Sequence, residues 1–281
     1  FVPGNEVPHY LRGVKIQVFH GLAGEKKGHF RIRNYFDLYL TQGPYFTRWF
    51  SKAAAKHKDF SVVETGWPKL DVYGKELHKY DPDKLFLLKK YKAKKIILYA
   101  PTFSPSLTSA PYVLSQLEEL AYVKEYLIVI KFHDLMAKDL IDSYKKLSKG
   151  FENVLFIEER NIIKYLLIAD LMISDTSSVV YEFLLLDKPV ITFKNNSHVI
   201  NWDNQLSFSG LMKRVAENLI EDPFKEQRLK ILKEYHPYTD GNSAKRMVEA
   251  VEEYIKKNGV PEKRLISWFR RYKINKIFSK I

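Results

Sequence analysis

Residues 171–193 run Leu-Met-Ile-Ser-Asp-Thr-Ser-Ser-Val-Val-Tyr-Glu-Phe-Leu-Leu-Leu-Asp-Lys-Pro-Val-Ile-Thr-Phe. The order is a buried strand, a hydroxyl-rich turn, an apolar helix and a second buried strand. Unbroken apolar strands of this kind are covered on both faces, which restricts the chain to an open parallel α/β sheet. In such sheets the turns after the strands form the ligand edge. A helix start leaves amide N–H groups unpaired and carries partial positive charge, so it suits phosphate. Ser174, Thr176, Ser177 and Ser178 add hydroxyls at the same place. The segment points to a phosphate-containing ligand, most simply a nucleotide.

The same alternation extends upstream. Apolar runs predict strands over 96–100, 126–131 and 154–157 as well as 171–173 and 190–193, with helices over 112–122, 135–147, 162–169 and 179–186 between them. Right-handed crossovers then give a Rossmann-type sheet. Nearer the N-terminus, strands are expected over 14–19, 36–40 and 61–64 and a helix over 45–55, before a lysine-rich stretch, 69–95, that contains the domain boundary. Later helices are expected over 211–220, 224–234, 243–257 and 261–278. The expected division is a partial N-terminal, acceptor-side domain and linker over 1–90, a nucleotide-donor domain over 91–260, and a basic amphipathic terminal helix over 261–281.

At 281 residues the chain has room for two ordinary domains. It has no Cys, which excludes disulfides and thiolate metal sites and fits a cytosolic setting. No apolar run reaches the roughly 18–20 residues of a membrane-spanning helix. The chain starts at Phe1 rather than Met, and the expectation is that an N-terminal part of the natural protein is missing.

Three motifs fall at predicted strand ends of the second domain: Pro101-Thr102-Phe103, Lys131-Phe132-His133 and the turn 174–178. A lysine charge, an imidazole donor and a helix start on one rim suit a diphosphate. The plainer readings are a rim histidine and an ordinary helix cap. Glu182, one turn into the following helix, is placed to accept from ribose hydroxyls. His20 ends the first predicted strand, before Gly21 and a loop with Glu25, Lys26 and Lys27. An imidazole there can serve as a general base with Glu25 or another acid orienting it, although a lone histidine is more often structural. Asp240, Gly241 and Ser243 precede a helix and on their own read as a turn and cap. There is no Walker motif, no His-Glu-x-x-His and no Gly-x-Ser-x-Gly, so metal and serine-hydrolase chemistry lack support.

The net charge is +13, and over half of it lies in the last 26 residues, where Glu262 is the sole acid. Leu265, Trp268, Phe269, Tyr272 and Ile277 recur there at roughly helical spacing among the lysines and arginines. Such a helix can lie on an anionic membrane. It can also pack on the protein with a solvated basic face, or attract nucleic acid as any basic patch does.

Taken together, Phe19-His20-Gly21, Thr65-Gly66-Trp67-Pro68-Lys69-Leu70-Asp71, Tyr99-Ala100-Pro101-Thr102, Lys131-Phe132-His133, Ser174-Asp175-Thr176-Ser177-Ser178 with Lys188-Pro189, and Asp240-Gly241-Asn242-Ser243 resemble the CDP-glycerol glycerophosphotransferase family, from about residue 14 to residue 251. The resemblance implies a two-domain GT-B α/β fold with its active site in the interdomain cleft. It implies transfer of glycerol phosphate, or another polyol phosphate, from a CDP-activated donor to an acceptor hydroxyl in teichoic-acid-like polymer synthesis, with release of CMP. By carry-over, His20 is the base on the acceptor. His133 and Lys131 hold the donor phosphates and support the leaving CMP. Ser174, Asp175, Thr176, Ser177 and Ser178 lie at the phosphate turn, Glu182 stands where similar proteins carry an acid, and Asp240, Gly241 and Ser243 lie near the donor. No cofactor and no metal are expected. The expected partners are the CDP-polyol, a polyol-phosphate or lipid-linked acceptor, and an anionic membrane surface met by 261–281, with no specific nucleic acid; the location would be peripheral, on the cytoplasmic face. Three departures from the family pattern stand out: Phe19 replaces the usual Trp, Asp134 replaces the proline after the histidine, and Thr176 replaces an aromatic residue. Another GT-B enzyme, such as a nucleotide-sugar glycosyltransferase or a UDP-sugar 2-epimerase, and a non-catalytic polyanion-binding module are the alternatives.

Overall fold

The computed structural model describes residues 1–22, 29–197, 200–262 and 264–278. Nine strands are seen among them: β1 (Ile16–Gln17), β2 (Leu38–Thr41), β3 (Ser61–Glu64), β4 (Lys95–Tyr99), β5 (Tyr126–Lys131), β6 (Val154–Ile157), β7 (Leu171–Ser174), β8 (Val190–Phe193) and β9 (Asp203–Gln205). The chain divides into two compact units, one of Phe1–Lys75 with Lys233–Ile281, the other of Glu76–Leu232.

The second unit is a six-stranded sheet in the order β6-β5-β4-β7-β8-β9, with every pair parallel. This is the doubly wound order, two strands stepping one way from β4 and three stepping the other. Ile97, Ile128, Ile130, Leu171, Ile173 and Ile191 are all buried, packed between the sheet and its helices. Each such side chain contributes about 1.5–3 kcal/mol relative to exposure. The apolar runs made these strands predictable. β9 was not expected: Asp-Asn-Gln has no apolar signal, and its register on β8 is set by pairing with Ile191, Thr192 and Phe193.

The first unit carries the parallel sheet β1-β2-β3. Ile16, Leu38 and Leu40 pack against Met247 and Ala250 of the helix Ser243–Asn258. The sequence grouped residues 233–260 with the second domain. The structure returns 233–258 to the first unit, because the apolar face of that helix covers β1 and β2.

The terminal helix also differs from expectation. It spans Trp268–Phe278 and not 261–278. Ser267 stands at its start, its carbonyl accepting from Arg271 N–H at 3.0 Å. The segment before it is pinned by Arg264, which donates to the Asn34 carbonyl at 2.8 Å, Asp37 at 2.7 Å and Asp59 at 3.0 Å.

Candidate active site

In a doubly wound sheet, ligands bind outside the carboxyl ends of the strands where the order reverses, here between β4 and β7. The three motifs of the second unit meet at this rim. Residues 100–103 follow β4, 131–133 close β5, and 174–178 close β7. The phenyl ring of Phe103 lies 4.4 Å from the His133 imidazole, centre to centre. Asp175 accepts from Thr102 N–H at 2.8 Å.

Several residues expected at the ligand are instead bound into the scaffold. Ser174 is fully buried and its hydroxyl donates to the Ala100 carbonyl at 2.7 Å, tying β7 to the end of β4. Asp175, also fully buried, accepts from Thr102 N–H and from both the amide and the hydroxyl of Ser109. Burial pushes its carboxyl up to about 6 despite these bonds. It clamps both ends of the loop 102–109. Lys131 is 6% exposed, and its ammonium donates to the Phe132 carbonyl at 2.6 Å and so is turned onto the chain. Burial lowers its pKa, against the opposing pull of Asp134 and Glu159.

Ser177 and Ser178 are half-buried, and neither hydroxyl makes a hydrogen bond among the described residues. Ser178 is the residue before the helix Val179–Leu184, yet its hydroxyl makes no cap bond. The Thr176 hydroxyl is buried without a partner. The Thr176 hydroxyl is closed off from solvent, so the turn leaves the Ser177 and Ser178 hydroxyls as its open polar groups. The helix behind them has six residues, shorter than the expected 179–186, and Glu182 is buried within it. Asp134, the departure beside His133, pairs with Arg160 at 3.2 Å, which offsets its charge.

His133 is exposed. Its Nδ1 accepts from Leu135 N–H at 3.1 Å. An acceptor nitrogen carries no proton, so the bound tautomer of the neutral ring presents Nε2–H outward, an assignment made from the hydrogen-bond network.

In the first unit, His20 is also exposed, but its Nδ1 lies 3.0 Å from the Pro3 carbonyl. A carbonyl only accepts, so Nδ1 carries the proton and Nε2 keeps its lone pair. The expected orienting residue, Glu25, and the rest of the lysine loop lie outside the described residues; the Pro3 carbonyl does the orienting. Phe19 just before takes φ +60°, a costly conformation for a bulky residue. That twist sends its ring into the core, 5.2 Å from Phe50, and the next side chain out to solvent. Gln42, which the sequence reading missed, donates to the Gly21 carbonyl at 3.3 Å and holds the turn from β2.

Asp240, Gly241 and Ser243 also belong to the first unit, where they join the segment 65–71. Asp71 caps the helix Ser243–Asn258, accepting from the amides of Ser243 at 2.8 Å and Ala244 at 2.9 Å. Asp240 pairs with Arg246 at 2.7 Å, and this guanidinium draws its carboxyl down to about 2. Arg246 in turn lies over Tyr238 at 4.1 Å and donates to the Thr65 carbonyl at 2.8 Å. Gly66 at φ +82° has no room for a side chain, since a Cβ would fall 2.4 Å from the Ser243 hydroxyl. Two motifs far apart in sequence thus form one joint, with their side chains engaged within it. The sign in the sequence was Asp71 itself, the last residue of the first motif. Among the described residues, no cluster of three or more His, Asp or Glu is placed to hold a metal ion.

Two parallel α/β units, the larger in the doubly wound order, define a protein of the GT-B-like α/β class. The chain belongs to the CDP-Glycerol:Poly(glycerophosphate) glycerophosphotransferase family, which it matches over residues 13–200. It is 28% identical over 229 residues to a teichoic acid glycerol-phosphate primase of Bacillus subtilis (strain 168), covering 77% of this chain and 58% of the primase. It is 30% identical over 216 residues to the teichoic acid ribitol-phosphate polymerase TarL of Staphylococcus aureus (strain NCTC 8325 / PS 47), covering 68% of this chain and 37% of TarL. The solved structure of the wall teichoic acid polymerase TagF superposes with a TM-score of 0.61 at 19% identity, over 86% of this chain and 68% of TagF. The chain therefore spans well under two thirds of the length of these two curated relatives.

Proposed function

We propose that this chain transfers glycerol phosphate, or a related polyol phosphate, from a CDP-activated donor to an acceptor hydroxyl and releases CMP, in the synthesis of a teichoic-acid-like polymer. The observation that carries the reading is the pair of imidazoles in opposite tautomers. His20 presents a bare Nε2, fit to take a proton, and His133 presents Nε2–H, fit to give one. In the reaction the acceptor oxygen attacks the β-phosphorus of the donor and its proton passes to His20. The bond from that phosphorus to the bridging oxygen breaks, and the electron pair leaves on CMP, met by His133 Nε2–H. Ser177, Ser178, the Thr176 turn and the helix amides are the groups proposed to hold the diphosphate, and Glu182 to meet the ribose. Positioning and electrostatics carry most phosphoryl transfer, which suits this set. Family membership supports a CDP-polyol donor, and a TagF structure was obtained after a soak with CDPG. In the intact protein, His20→Ala and His133→Ala should each lower turnover by at least about a hundredfold. Near-normal turnover in both would sink the assignment.

We also assign the terminal helix to an anionic membrane surface on the cytoplasmic side. Trp268, Phe269 and Tyr272 are each more than half exposed, alongside Lys273 and Lys276, while Ile274 faces inward. In the same unit an apolar groove of about 380 Å³ runs past Phe30, Ile32 and Trp49 with Lys52, Lys56 and His57 on its lining. Among the described residues no helix is long and apolar enough to cross a membrane. The variant Trp268→Ser/Phe269→Ser/Tyr272→Ser should lose binding to phosphatidylglycerol vesicles while keeping its fold. It is preferable to deleting the tail, which would remove Arg264 from Asp37. Undiminished vesicle binding would refute the assignment.

A further inference from the structure

We infer that Phe103 is a positioning residue that holds the His133 imidazole in its working orientation. The inference rests on the proposed role of His133. Phe103 follows β4 at the rim and remains 38% exposed. Its ring faces the imidazole at 4.4 Å with the planes 33° apart. That is a close, tilted contact within the range over which aromatic rings attract one another.

Both partners of the contact are fixed from behind. The amide before Phe103, that of Thr102, is held by Asp175 at 2.8 Å. The other oxygen of the same buried carboxylate holds Ser109, and the Ser104 carbonyl accepts from Leu107 at 3.0 Å and Thr108 at 2.9 Å. The loop bearing Phe103 is therefore closed at both ends and bonded within. On the other side, Leu135 N–H fixes the imidazole edge at Nδ1, and Met136 N–H holds the His133 carbonyl at 2.9 Å. One edge bond alone leaves a ring free to swing about the axis through it. The phenyl face removes that freedom. What remains open is Nε2–H and the opposite face of the ring.

The fold built around β4 and β7 thus reaches His133 through Asp175, the loop and Phe103, none of which has to touch a ligand. This gives Asp175 a task at the site different from direct substrate contact: it sets where the phenyl ring stands.

The test combines kinetics with a spectroscopic readout. Phe103→Leu keeps apolar bulk and removes the flat face; Phe103→Tyr keeps the face. Phe103→Leu should lower kcat by about tenfold to a hundredfold, the range that misplacement of a catalytic group produces, with donor KM within about twofold of wild type. Phe103→Tyr should retain wild-type kcat. In a His133→Ala background, Phe103→Leu should have no further effect, because nothing is left to position. Imidazole ring relaxation NMR should show His133 rigid in the wild type and mobile in Phe103→Leu, with the Nε2–H tautomer, fixed by Leu135 N–H, the same in both. An increase in donor KM with kcat unchanged would overturn the inference in favour of direct nucleotide contact. A further loss in the His133→Ala background, or a His133 ring as rigid in Phe103→Leu as in the wild type, would also overturn it. If His133→Ala itself turns over normally, the role of His133 fails, and the spectra alone still decide whether Phe103 holds the ring.

Discussion

Acid should unfold the first unit through two histidines, His236, which is buried, and His29, which is half-buried, and His236 allows the effect to be isolated. His236 is 5% exposed and its Nε2 accepts from Trp67 N–H at 3.0 Å. Burial, together with Arg246 and against the pull of Asp71, holds its pKa down to about 4, from 6.5. The folded protein thus keeps the ring neutral while the unfolded chain takes up a proton as pH falls below 6.5. Stability from this group is complete above that value and is lost as pH drops towards 4. A shift of this size corresponds to about 3 kcal/mol. His29 is pushed down to about 4 as well, by burial and then by the neighbouring His20, and contributes a similar amount in the same direction. In His236→Gln the amide oxygen supplies an acceptor for Trp67 that does not titrate. Urea unfolding should be followed by tryptophan fluorescence at pH 7 and pH 4, since Trp49, Trp67 and Trp268 all lie in this unit. Between those pH values the variant should lose about 3 kcal/mol less than wild type. Equal losses in the two proteins would refute the reasoning.

Two other perturbations follow from buried charge. Arg264→Met leaves Asp37 buried without its guanidinium, and breaking such a pair costs about 3–5 kcal/mol; adding Asp37→Asn should recover part of the loss in urea unfolding. The sign reverses for Asp175, whose pKa is raised from 3.8 to about 6. Its stabilising share is complete below 3.8 and lost as pH rises through 6, so the second unit should gain about 2 kcal/mol between pH 7 and pH 4 from this group, and Asp175→Asn should abolish the gain as read by hydrogen exchange at the strand amides.

The sheet of the second unit was legible because its strands announce themselves locally. Ile96, Ile97 and Leu98, or Leu127 through Ile130, are apolar without alternation, and only burial on both faces explains that. The edge strand β9 carries no such signal and exists through its partner. The same difference separates the site residues. His20 and His133 stood out as motif histidines at strand ends, and the structure leaves both exposed at those ends. Their opposite tautomers depend on Pro3 and Leu135, and a sequence does not say which nitrogen meets which group. Ser174 and Asp175 looked like part of a ligand turn, but their hydrogen bonds run to Ala100, Thr102 and Ser109, 66–74 residues away. Helix Ser243–Asn258 was mislocated for the same reason, since its apolar face fits β1 and β2 near the other end of the chain.

The central claim is that this chain carries out polyol-phosphate transfer with His20 and His133. Its most direct test is CMP release from CDP-glycerol by the intact protein in the presence of a glycerol-phosphate-terminated acceptor. Wild type should release CMP in proportion to acceptor, and His20→Ala and His133→Ala should each do so at least about a hundredfold more slowly. Release that ignores the acceptor, or that proceeds at the wild-type rate in the two variants, would contradict the account.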